Sequence, residues 1–374
     1  MVKICFDRLV NQADILKASR AAIIENPANR PAGSRENSRE YEVRQDKSGK
    51  DGLMTSVMPS PEELALEIRR LWKPGRTLKI KFLDGSKELQ QRVAEFAKEW
   101  ERYAHLHLVF VDSEDAEIRI SFKADPGSWS FLGTDALTIP PNQPTMNLGW
   151  LTASTPDSEV QRVVLHEFGH ALGCIHEHQH PEAAIPWDKK AVYQEYSGPP
   201  NFWSKEVIDH NIFEKYARDW TQFSAFDRNS IMLYPIPAEL TNGGFEVGWN
   251  QKLSQTDQAF IAQSYPLWDH PIEELTVADS PLEAEIGRKG EDDRYRFLVL
   301  EKGEFVIETG GQTDTVIALF DTSSHLKPIA EDDDSGEGLN ARLKMKLDPG
   351  VYYLRVHHYL PNCTGKYSIQ VKGS

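Results

Sequence analysis

The sequence predicts an α+β protein in which a mixed twisted sheet, with a backing helix and a second helix, is followed by an antiparallel β-sandwich. Two observations support this prediction. Strand-like and helix-like patterns alternate between residues 76 and 270, which is typical of a sheet covered by helices. From residue 276 to 374, short stretches of alternating apolar and polar residues follow one another without a helical pattern between them.

Residues 1–75 form a third region, which we interpret as an N-terminal leader or a prosegment-like region. The stretch 26–52 is rich in Asn, Pro, Arg, Ser and Gly, so we expect it to bury little surface and to be mobile. A capping box from Ser60 to Glu63 then predicts a short helix. Its apolar positions are Leu64, Ile68 and Leu71.

Four strands and two helices are predicted in the domain at 76–270. The stretch 77–82 alternates like a half-buried strand, and apolar residues at helical spacing over 89–103 predict a long amphipathic helix. A second helix opens at 155–157, where a polar residue and a proline precede an apolar run. The other strands are predicted at 107–112, 117–122 and 146–151.

The C-terminal region repeats one pattern, in which every second residue is apolar. In 294–300 the apolar face consists of Tyr295, Phe297 and Val299. The same alternation recurs in 341–347, 352–356 and 367–371. Turn residues lie between these stretches, so the sequence predicts that this region folds as a small antiparallel β-sandwich.

Composition excludes several classes of protein. The net charge of −15 over 374 residues disfavours nucleic acid and anionic membranes as partners, because both are bound through clustered Lys and Arg.

The sequence contains no run of about 18 apolar residues, so we predict no membrane-spanning helix. The N-terminus has charges where a signal peptide needs an apolar stretch, so we expect a cytoplasmic or non-classically exported protein, with secretion as the alternative. The odd number of cysteines, Cys5, Cys174 and Cys363, does not suggest a disulfide framework.

The strongest signal is the motif HExxHxxGxxH, which begins at His166. Residues four apart share one face of a helix, so His166 and His170 can reach one ion. Gly173 can adopt a positive φ, which ends the helix and lets His176 approach the same ion. Three neutral imidazoles leave zinc an open position for water. The motif therefore predicts a zinc site.

This arrangement suggests metal-assisted hydrolysis of peptide bonds. Zinc makes water nucleophilic at neutral pH, and Glu167 can take its proton as a general base and return it to the leaving amine. A bare HExxH can arise by accident on a buried helix. Here five positions agree, and the chance of that agreement is on the order of one in ten thousand for a chain of this length.

The long motif resembles that of the metzincin peptidases, and Glu177 after the third histidine resembles their astacin variant. Downstream, Ser230–Tyr234 resembles the Met-turn of the same family. The resemblance implies that Met232 forms an apolar floor beneath the metal. It also implies that Tyr234 is a switchable fifth ligand, which swings away to stabilise the oxyanion intermediate. Without the resemblance, the sequence would predict only that Met232 is a core residue and that Tyr234 is an ordinary buried phenol.

The metzincin resemblance covers about residues 76–270, and it implies that Gly127–Ser130 forms part of the active-site rim. His178 and His180 continue the run of histidines but fall outside the motif. We expect them on the surface or beside the ligands, with direct ligation as the less favoured alternative.

Cys5 is a candidate latency ligand. Metzincin zymogens are kept inactive by a prosegment Cys or Asp that binds the zinc in place of water, and a thiolate on a mobile leader is a suitable ligand. The alternative, that Cys5 is a small buried apolar residue, is the more favoured one. Cys174 lies in the motif turn, where we expect it to pack and not to bind metal.

The C-terminal region resembles the bacterial pre-peptidase C-terminal domain, a β-sandwich often attached to secreted peptidases. The resemblance rests on Gly290–Phe297, Asp314–Val316, Asp332–Gly336 and Pro349–Tyr353. Its carboxylates Asp332, Asp333 and Asp334 could hold calcium, although a solvated acidic loop would show the same pattern. The role implied for the domain is binding of substrate or matrix, or assistance in folding.

We therefore predict a zinc-dependent endopeptidase that acts on protein or peptide substrates. Two other functions remain open at this stage. The protein could be a binding module whose metal site is catalytically silent, or a peptidase that its own N-terminus holds latent.

Overall fold

The computed structural model describes residues 5, 8, 10, 14–30, 69–125, 127–199, 201–215, 226–268, 271–278 and 280–373. The chain forms two compact units. The first comprises Met1–Lys73, Ile80–Gln91 and Val111–Lys252, and the second comprises Pro74–Lys79, Arg92–Phe110 and Leu253–Ser374. The domain limits derived from the sequence stay predictions.

The described helices are short except for the one that carries the histidine motif. They are α1 Ile15–Glu25, α2 Lys87–Ala97, α3 Asp157–Ala171, α4 Lys189–Ser197, α5 Lys205–Ile208 and α6 Gln255–Ser264. A 3-10 turn, Lys98–Arg102, continues α2, so the long helix predicted over 89–103 is α-helical only in its first part. No helix among the described residues has both the length and the apolar character to span a membrane.

Strands β1 to β5 form one mixed sheet in the order β2-β1-β3-β5-β4. Their bounds are β1 Thr77–Phe82, β2 His107–Phe110, β3 Ile118–Ser121, β4 Ser128–Ser130 and β5 Met146–Leu148. β1 and β3 are parallel, as are β3 and β5, whereas β4 runs antiparallel to β5 and lies at the edge of the sheet.

Helix α3 packs against β4 and β5, which brings the histidine motif to the edge of this sheet. Asp157 and Glu159 lie in its first turn, where negative charge interacts favourably with the helix dipole. Val160, Val164 and Phe168 recur along the helix and are fully buried. Burial of this apolar stripe fixes the helix, because each such side chain contributes about 1.5–3 kcal/mol.

The N-terminal region is more ordered than its composition suggests. The side chain of Asn29 donates to the carbonyl oxygens of Ala22 and Leu71, and its Oδ1 accepts from the Leu71 amide. A buried ion pair, Arg70 to Asp135 at 2.6 Å, joins the segment after residue 68 to the turn at residues 133–138. The expectation of a mobile, loosely packed stretch from residue 26 onward is therefore wrong for residues 26–30.

The helix predicted from Ser60 lies largely outside the described residues. Of its apolar positions only Leu71 is described, and it lies outside any helix or strand.

Gly133 allows the turn at residues 133–138 to pack closely against the main chain at Arg70. Its φ is +44°, and a Cβ at this position would lie 1.8 Å from the carbonyl oxygen of Arg70.

The second unit contains two sheets with the orders β11-β10-β13-β8-β6 and β12-β9-β14-β7. All described pairings in them are antiparallel except the short parallel pair of β6 and β8. The strands are β6 Glu273–Glu274, β7 Leu282–Ile286, β8 Asp293–Val299, β9 Gly303–Gly311, β10 Thr315–Phe320, β11 Ala330–Asp332, β12 Arg342–Leu347, β13 Gly350–His358 and β14 Gly365–Gly373.

One apolar core lies between the two sheets of this unit. Tyr295, Phe297 and Val299 point into it, as their alternation predicted. On the other face of the first sheet, Trp268 packs edge-on against Phe320 and Tyr353. A β-rich C-terminal region after a mixed α/β region is the fold class that the sequence predicted.

Candidate metal centre

Helix α3 places the first two histidines of the motif on one face. The Nε2 atoms of His166 and His170 are 3.2 Å apart. The Nε2 atom of His176 lies 3.2 Å from the first and 3.0 Å from the second. All three rings are buried, and among the described residues this is the one group of three or more His, Cys, Asp or Glu side chains that could hold a metal ion.

Gly173 provides the reversal that brings in the third histidine. Its φ is +92°, a conformation that side chains with a Cβ rarely adopt. The Gly173 amide donates to the His170 carbonyl, and the Cys174 amide donates to that of Gly169, so the last carbonyls of the helix are satisfied. A Cβ at position 173 would also lie 2.9 Å from Leu71 Cδ2.

The hydrogen bonds of two histidines determine their tautomers. Nδ1 of His166 lies 2.7 Å from the Ile231 carbonyl oxygen, and Nδ1 of His170 lies 2.8 Å from that of Cys174. Because a carbonyl oxygen only accepts, both Nδ1 atoms donate, and both Nε2 atoms keep their lone pairs. Two lone pairs that face each other across 3.2 Å repel unless a cation lies between them.

The donor set fits a zinc ion. Two nitrogens that are each about 2.0–2.1 Å from a tetrahedral zinc ion are about 3.3 Å apart, close to the observed separations. Burial and the two neighbouring imidazoles hold the pKa of His166 well below its ordinary value, so this ring is neutral at physiological pH. Neutral imidazole is the form that binds metal.

Residues 230–234 adopt a tight turn beside the histidines. The Met232 amide donates to Ser230 Oγ at 3.0 Å, and the Met232 carbonyl accepts from the Glu177 amide at 3.1 Å. Glu177 Oε1 in turn accepts from the Asp227 amide at 2.8 Å. Glu177 therefore fastens the segment that carries the third histidine to this turn, and Met232 is buried.

Tyr234 is buried against the same histidines. The centroid of its ring lies 4.2 Å from that of His176 and 6.0 Å from that of His166. Its hydroxyl donates to the main-chain oxygen of Cys5 at 2.5 Å. The turn thus brings a phenol to the edge of the histidine cluster.

Comparison with known proteins identifies the family. A solved structure of myroilysin is 49% identical to this chain with a TM-score of 0.51, and the match covers 53% of this chain and 96% of that one. The chain belongs to the astacin-like metzincins. It is a zinc metalloendopeptidase, as the sequence predicted. No protein-family model and no curated protein matches the chain.

Two further solved structures are more distant from this metzincin. High choriolytic enzyme 1, a hatching enzyme zinc-protease from Oryzias latipes (medaka fish), is 17% identical with a TM-score of 0.37, covering 52% of this chain and 94% of that one. The pre-peptidase C-terminal domain of a collagenase from Bacillus anthracis is 20% identical with a TM-score of 0.25, covering 28% and 98%. The family assignment rests on the myroilysin match.

Cys5 lies against Tyr234, next to the histidine cluster. Its side chain is buried and packs in one apolar cluster with Tyr234, Val192 and Tyr196. Burial raises the pKa of its thiol well above the ordinary value, and the neighbouring Glu167 carboxylate raises it further. Cys5 does not belong to the group of side chains that could hold the metal, and its burial agrees with the favoured alternative of a small buried residue. Its role as a latency ligand stays a prediction.

Arg8 lies at the edge of the sheet. It forms a parallel β-bridge with Phe131, the residue that follows β4. Its guanidinium lies 4.0 Å from the centroid of the Trp129 ring, a cation–π distance. The stretch Gly127–Ser130, predicted to be part of the rim, thus includes the strand beside which the N-terminal segment runs.

His178 and His180 are both buried, so the first of the two expected locations, the surface, is wrong, whereas the ring of His178 lies beside a proposed ligand, 5.2 Å from the ring of His176 between centroids. His178 stacks on Tyr234, and its Nε2 lies 2.7 Å from the Asn211 carbonyl oxygen. His180 Nδ1 accepts from the Glu182 amide at 3.1 Å. Neither belongs to the histidine group that could hold the metal. Both rings can be buried because each has a hydrogen-bond partner in the interior.

Proposed function

We propose that His166, His170 and His176 bind the catalytic zinc ion and that Glu167 is the general base of peptide-bond hydrolysis. The observation that supports this assignment most strongly is the convergence of three buried Nε2 atoms, two of them with tautomers fixed by carbonyl oxygens. When bound, zinc activates water and polarises the carbonyl of the scissile bond. The protein holds the ligands in place before the ion arrives, because their Nδ1 atoms are already tethered.

Glu167 would move the proton in this reaction. It is fully buried and follows His166 on the same helix, and its carboxylate lies near the Cys5 thiol. A carboxylate at this place can accept the proton of the attacking water and pass it to the leaving amine. Its burial keeps competing solvent away from the transferred proton.

Tyr234 would stabilise the negative charge that develops on the carbonyl oxygen of the substrate. Its hydroxyl is a hydrogen-bond donor beside the histidine cluster, and in the present structure it already donates to a carbonyl oxygen, that of Cys5. A donor aimed at the developing oxyanion is worth about 10²- to 10³-fold in kcat. Met232 would support the ligands from below, as the family resemblance implies.

The N-terminal segment would hold the enzyme latent. Its Cys5 side chain reaches Glu167, its Cys5 carbonyl engages Tyr234, and its Arg8 pairs beside the edge strand of the sheet. These contacts occupy the general base, the oxyanion donor and the edge of the site at once. Substrate and segment therefore compete for the same groups, and removal of the segment would activate the enzyme.

Calcium binding in the C-terminal region stays a prediction. Asp332 Oδ1 accepts from the Ser335 amide at 3.0 Å and from the Arg342 amide at 2.7 Å. These bonds satisfy one oxygen of the acidic stretch without an ion, and Asp333 and Asp334 are not brought into a metal-binding group with it among the described residues. Substrate specificity and the role of the β-rich region also stay predictions.

The assignment of the general base can be tested by replacing Glu167 with Ala. We expect the variant to bind zinc as the parent does and to lose about 10²- to 10⁴-fold in kcat, because the ligands remain while proton transfer fails. Glu182→Ala removes an exposed carboxylate from the neighbouring loop and should leave kcat unchanged. Metal content and peptide cleavage would be measured on both. Near-parental turnover by the zinc-loaded Glu167→Ala protein would exclude Glu167 as the base.

A further inference from the structure

His178 is a buried histidine that the proposed zinc site does not use. It follows His176 by two positions, is fully buried, and lies outside the group of histidines that could share the metal. Its ring instead faces Tyr234. The two ring centroids are 4.6 Å apart with an angle of 26° between the planes, which is a stacked geometry.

The phenol ring of Tyr234 is thus packed against two imidazoles. The ring of His176 lies 4.2 Å from it, tilted by 48°, and the ring of His178 stacks on it. The two imidazoles are themselves 5.2 Å apart between centroids. Because protein interiors are close-packed, a ring with such neighbours can turn only if one of them moves.

Hydrogen bonds hold both the ring and the backbone of His178 in place. Its Nε2 lies 2.7 Å from the carbonyl oxygen of Asn211, so Nε2 carries the hydrogen and donates it. The side chain of Asn211 is fixed as well, because its Nδ2 donates to the Val207 carbonyl oxygen at 2.9 Å. The main-chain oxygen of His178 accepts from Lys215 Nζ at 2.5 Å. Both ring and backbone are therefore tied to the segment 207–215.

That segment contains a π-helical turn, Asp209–Phe213, and Asn211 lies in the last turn before the helix ends. Carbonyls in the last turn of a helix are directed to partners outside it. Here the Asn211 carbonyl accepts from the ring of His178, and this bond orients a ring that contacts the phenol.

We propose that His178 is a positioning residue for Tyr234. Its fixed ring sets the plane of the phenol and confines the hydroxyl to the side of the metal ligands, where it meets the carbonyl oxygen of Cys5 and, once that segment leaves, the carbonyl oxygen of the substrate. The inference rests on the proposed role of Tyr234. It adds a residue outside the HExxHxxGxxH motif to the groups that determine the rate.

The ring of His178, and not its hydrogen bond alone, would carry this effect. His178→Phe keeps a ring against the phenol and loses the donor, whereas His178→Gln keeps a donor for Asn211 and loses the ring. In the full-length chain carrying Cys5→Ala, loaded with zinc, we expect His178→Gln to lower kcat about tenfold with KM within about twofold. His178→Phe should keep kcat within about threefold of that parent.

A double-mutant cycle separates positioning from a general structural effect. If His178 acts through the phenol hydroxyl, His178→Gln should change kcat by less than about twofold once Tyr234→Phe is present. An equal fall in kcat with Tyr234 and with Tyr234→Phe would overturn the proposal, and so would a change in KM without a change in kcat. A high kcat for His178→Gln together with a low kcat for His178→Phe would also overturn it. If Tyr234→Phe leaves kcat at the parental value, or if the zinc-loaded parent does not turn over, the proposed function itself has failed.

Stability of the metal-free chain gives a readout that does not depend on turnover. Because the two rings stack, the fall in melting temperature caused by His178→Gln should be larger with Tyr234 present than with Tyr234→Ala. All variants should bind zinc with the same stoichiometry as the parent, since His178 is not a ligand. Additive shifts in melting temperature would show that the stack does not couple the two residues and would overturn the proposal.

Discussion

The hydroxyl of Tyr234 donates a hydrogen bond to the main-chain oxygen of Cys5 across 229 positions of the sequence. The side chain of the same cysteine lies near the carboxylate of Glu167, which raises the pKa of the thiol in addition to the effect of burial. One residue of the N-terminal segment therefore lies beside both side chains to which we assign proton transfer and oxyanion stabilisation. This arrangement links the regulation of the enzyme to its chemistry.

Replacing Cys5 with Ala should activate the full-length enzyme. The substitution removes the contact with Glu167 but keeps the main-chain oxygen that Tyr234 binds, so activation should be partial. If the segment closes the site in about 90–99% of molecules, opening it raises activity about 10- to 100-fold. Cleavage of a peptide library by zinc-loaded protein measures this. Cys363→Ser, in the other unit, is the matched control and should leave the cleavage rate unchanged. If Cys5→Ala also leaves the cleavage rate unchanged, the Cys5 side chain does not hold the enzyme latent.

Asn29 should be essential for the stability of the first unit, although composition predicted that its region is mobile. Asn29→Ala removes three hydrogen bonds to Ala22 and Leu71 and leaves buried main-chain groups unpaired. We expect a loss of about 2–4 kcal/mol in the free energy of unfolding. Chemical denaturation of the metal-free protein measures it. Asn242→Ala, which removes exposed bonds to loop carbonyls, should lose less than about 1 kcal/mol; similar losses for both would refute the assigned role.

Gly173→Ala should weaken both stability and metal binding. The positive φ costs a residue with a Cβ about 1–2 kcal/mol, and the added atom meets the Leu71 side chain. Relaxation of this turn would also move His176 away from the other ligands. Gly243→Ala has a positive φ but no atom within 4 Å of the new Cβ, so it should show only the conformational cost and full zinc content. Calorimetry and metal analysis compare the two, and equal zinc content in both variants would contradict the prediction.

Asp293 should make the second unit less stable as pH rises. Burial, and then the neighbouring carboxylates, raise its pKa above the ordinary value of 3.8, although the Tyr367 hydroxyl donates to it and opposes the shift. A raised pKa in the folded state means that the stability contribution is full below the unfolded pKa and is lost as pH rises through the folded one. Asp293→Asn should therefore gain stability relative to the parent between pH 3.5 and 7 in thermal unfolding. A constant difference between the two proteins across this range would contradict the shift.

The parts of the site that follow from local periodicity were predictable from the sequence. Helical spacing places His166 and His170 on one face whatever the rest of the fold, and Gly173 is a residue that tolerates the turn to His176. Strand β1 matches its predicted range because its alternation is regular. The end of α2 at Ala97 was not predictable, since Trp100 and Tyr103 keep a helical spacing while the chain tightens to a 3-10 turn.

Contacts that depend on the tertiary fold could not be read from the sequence. Composition suggested a mobile region around Asn29, because polar residues bury poorly, but a side chain that pairs all its polar atoms is an exception. The same reasoning left open whether His178 lies on the surface or beside the ligands. The contact of Cys5 with Tyr234 has no local signal at all, because it depends on where the N-terminal segment returns to the fold.

Zinc content of the wild-type chain and of His176→Ala, measured by elemental analysis after dialysis against a weak chelator, tests the metal centre most directly. The three converging Nε2 atoms require about one zinc ion per wild-type chain and a large loss of metal in the variant, since two imidazoles alone bind weakly. His180→Ala, which alters a neighbouring buried ring outside the cluster, should retain the ion. A wild-type chain without zinc, or a His176→Ala chain with full zinc, would contradict the structure of the site described above.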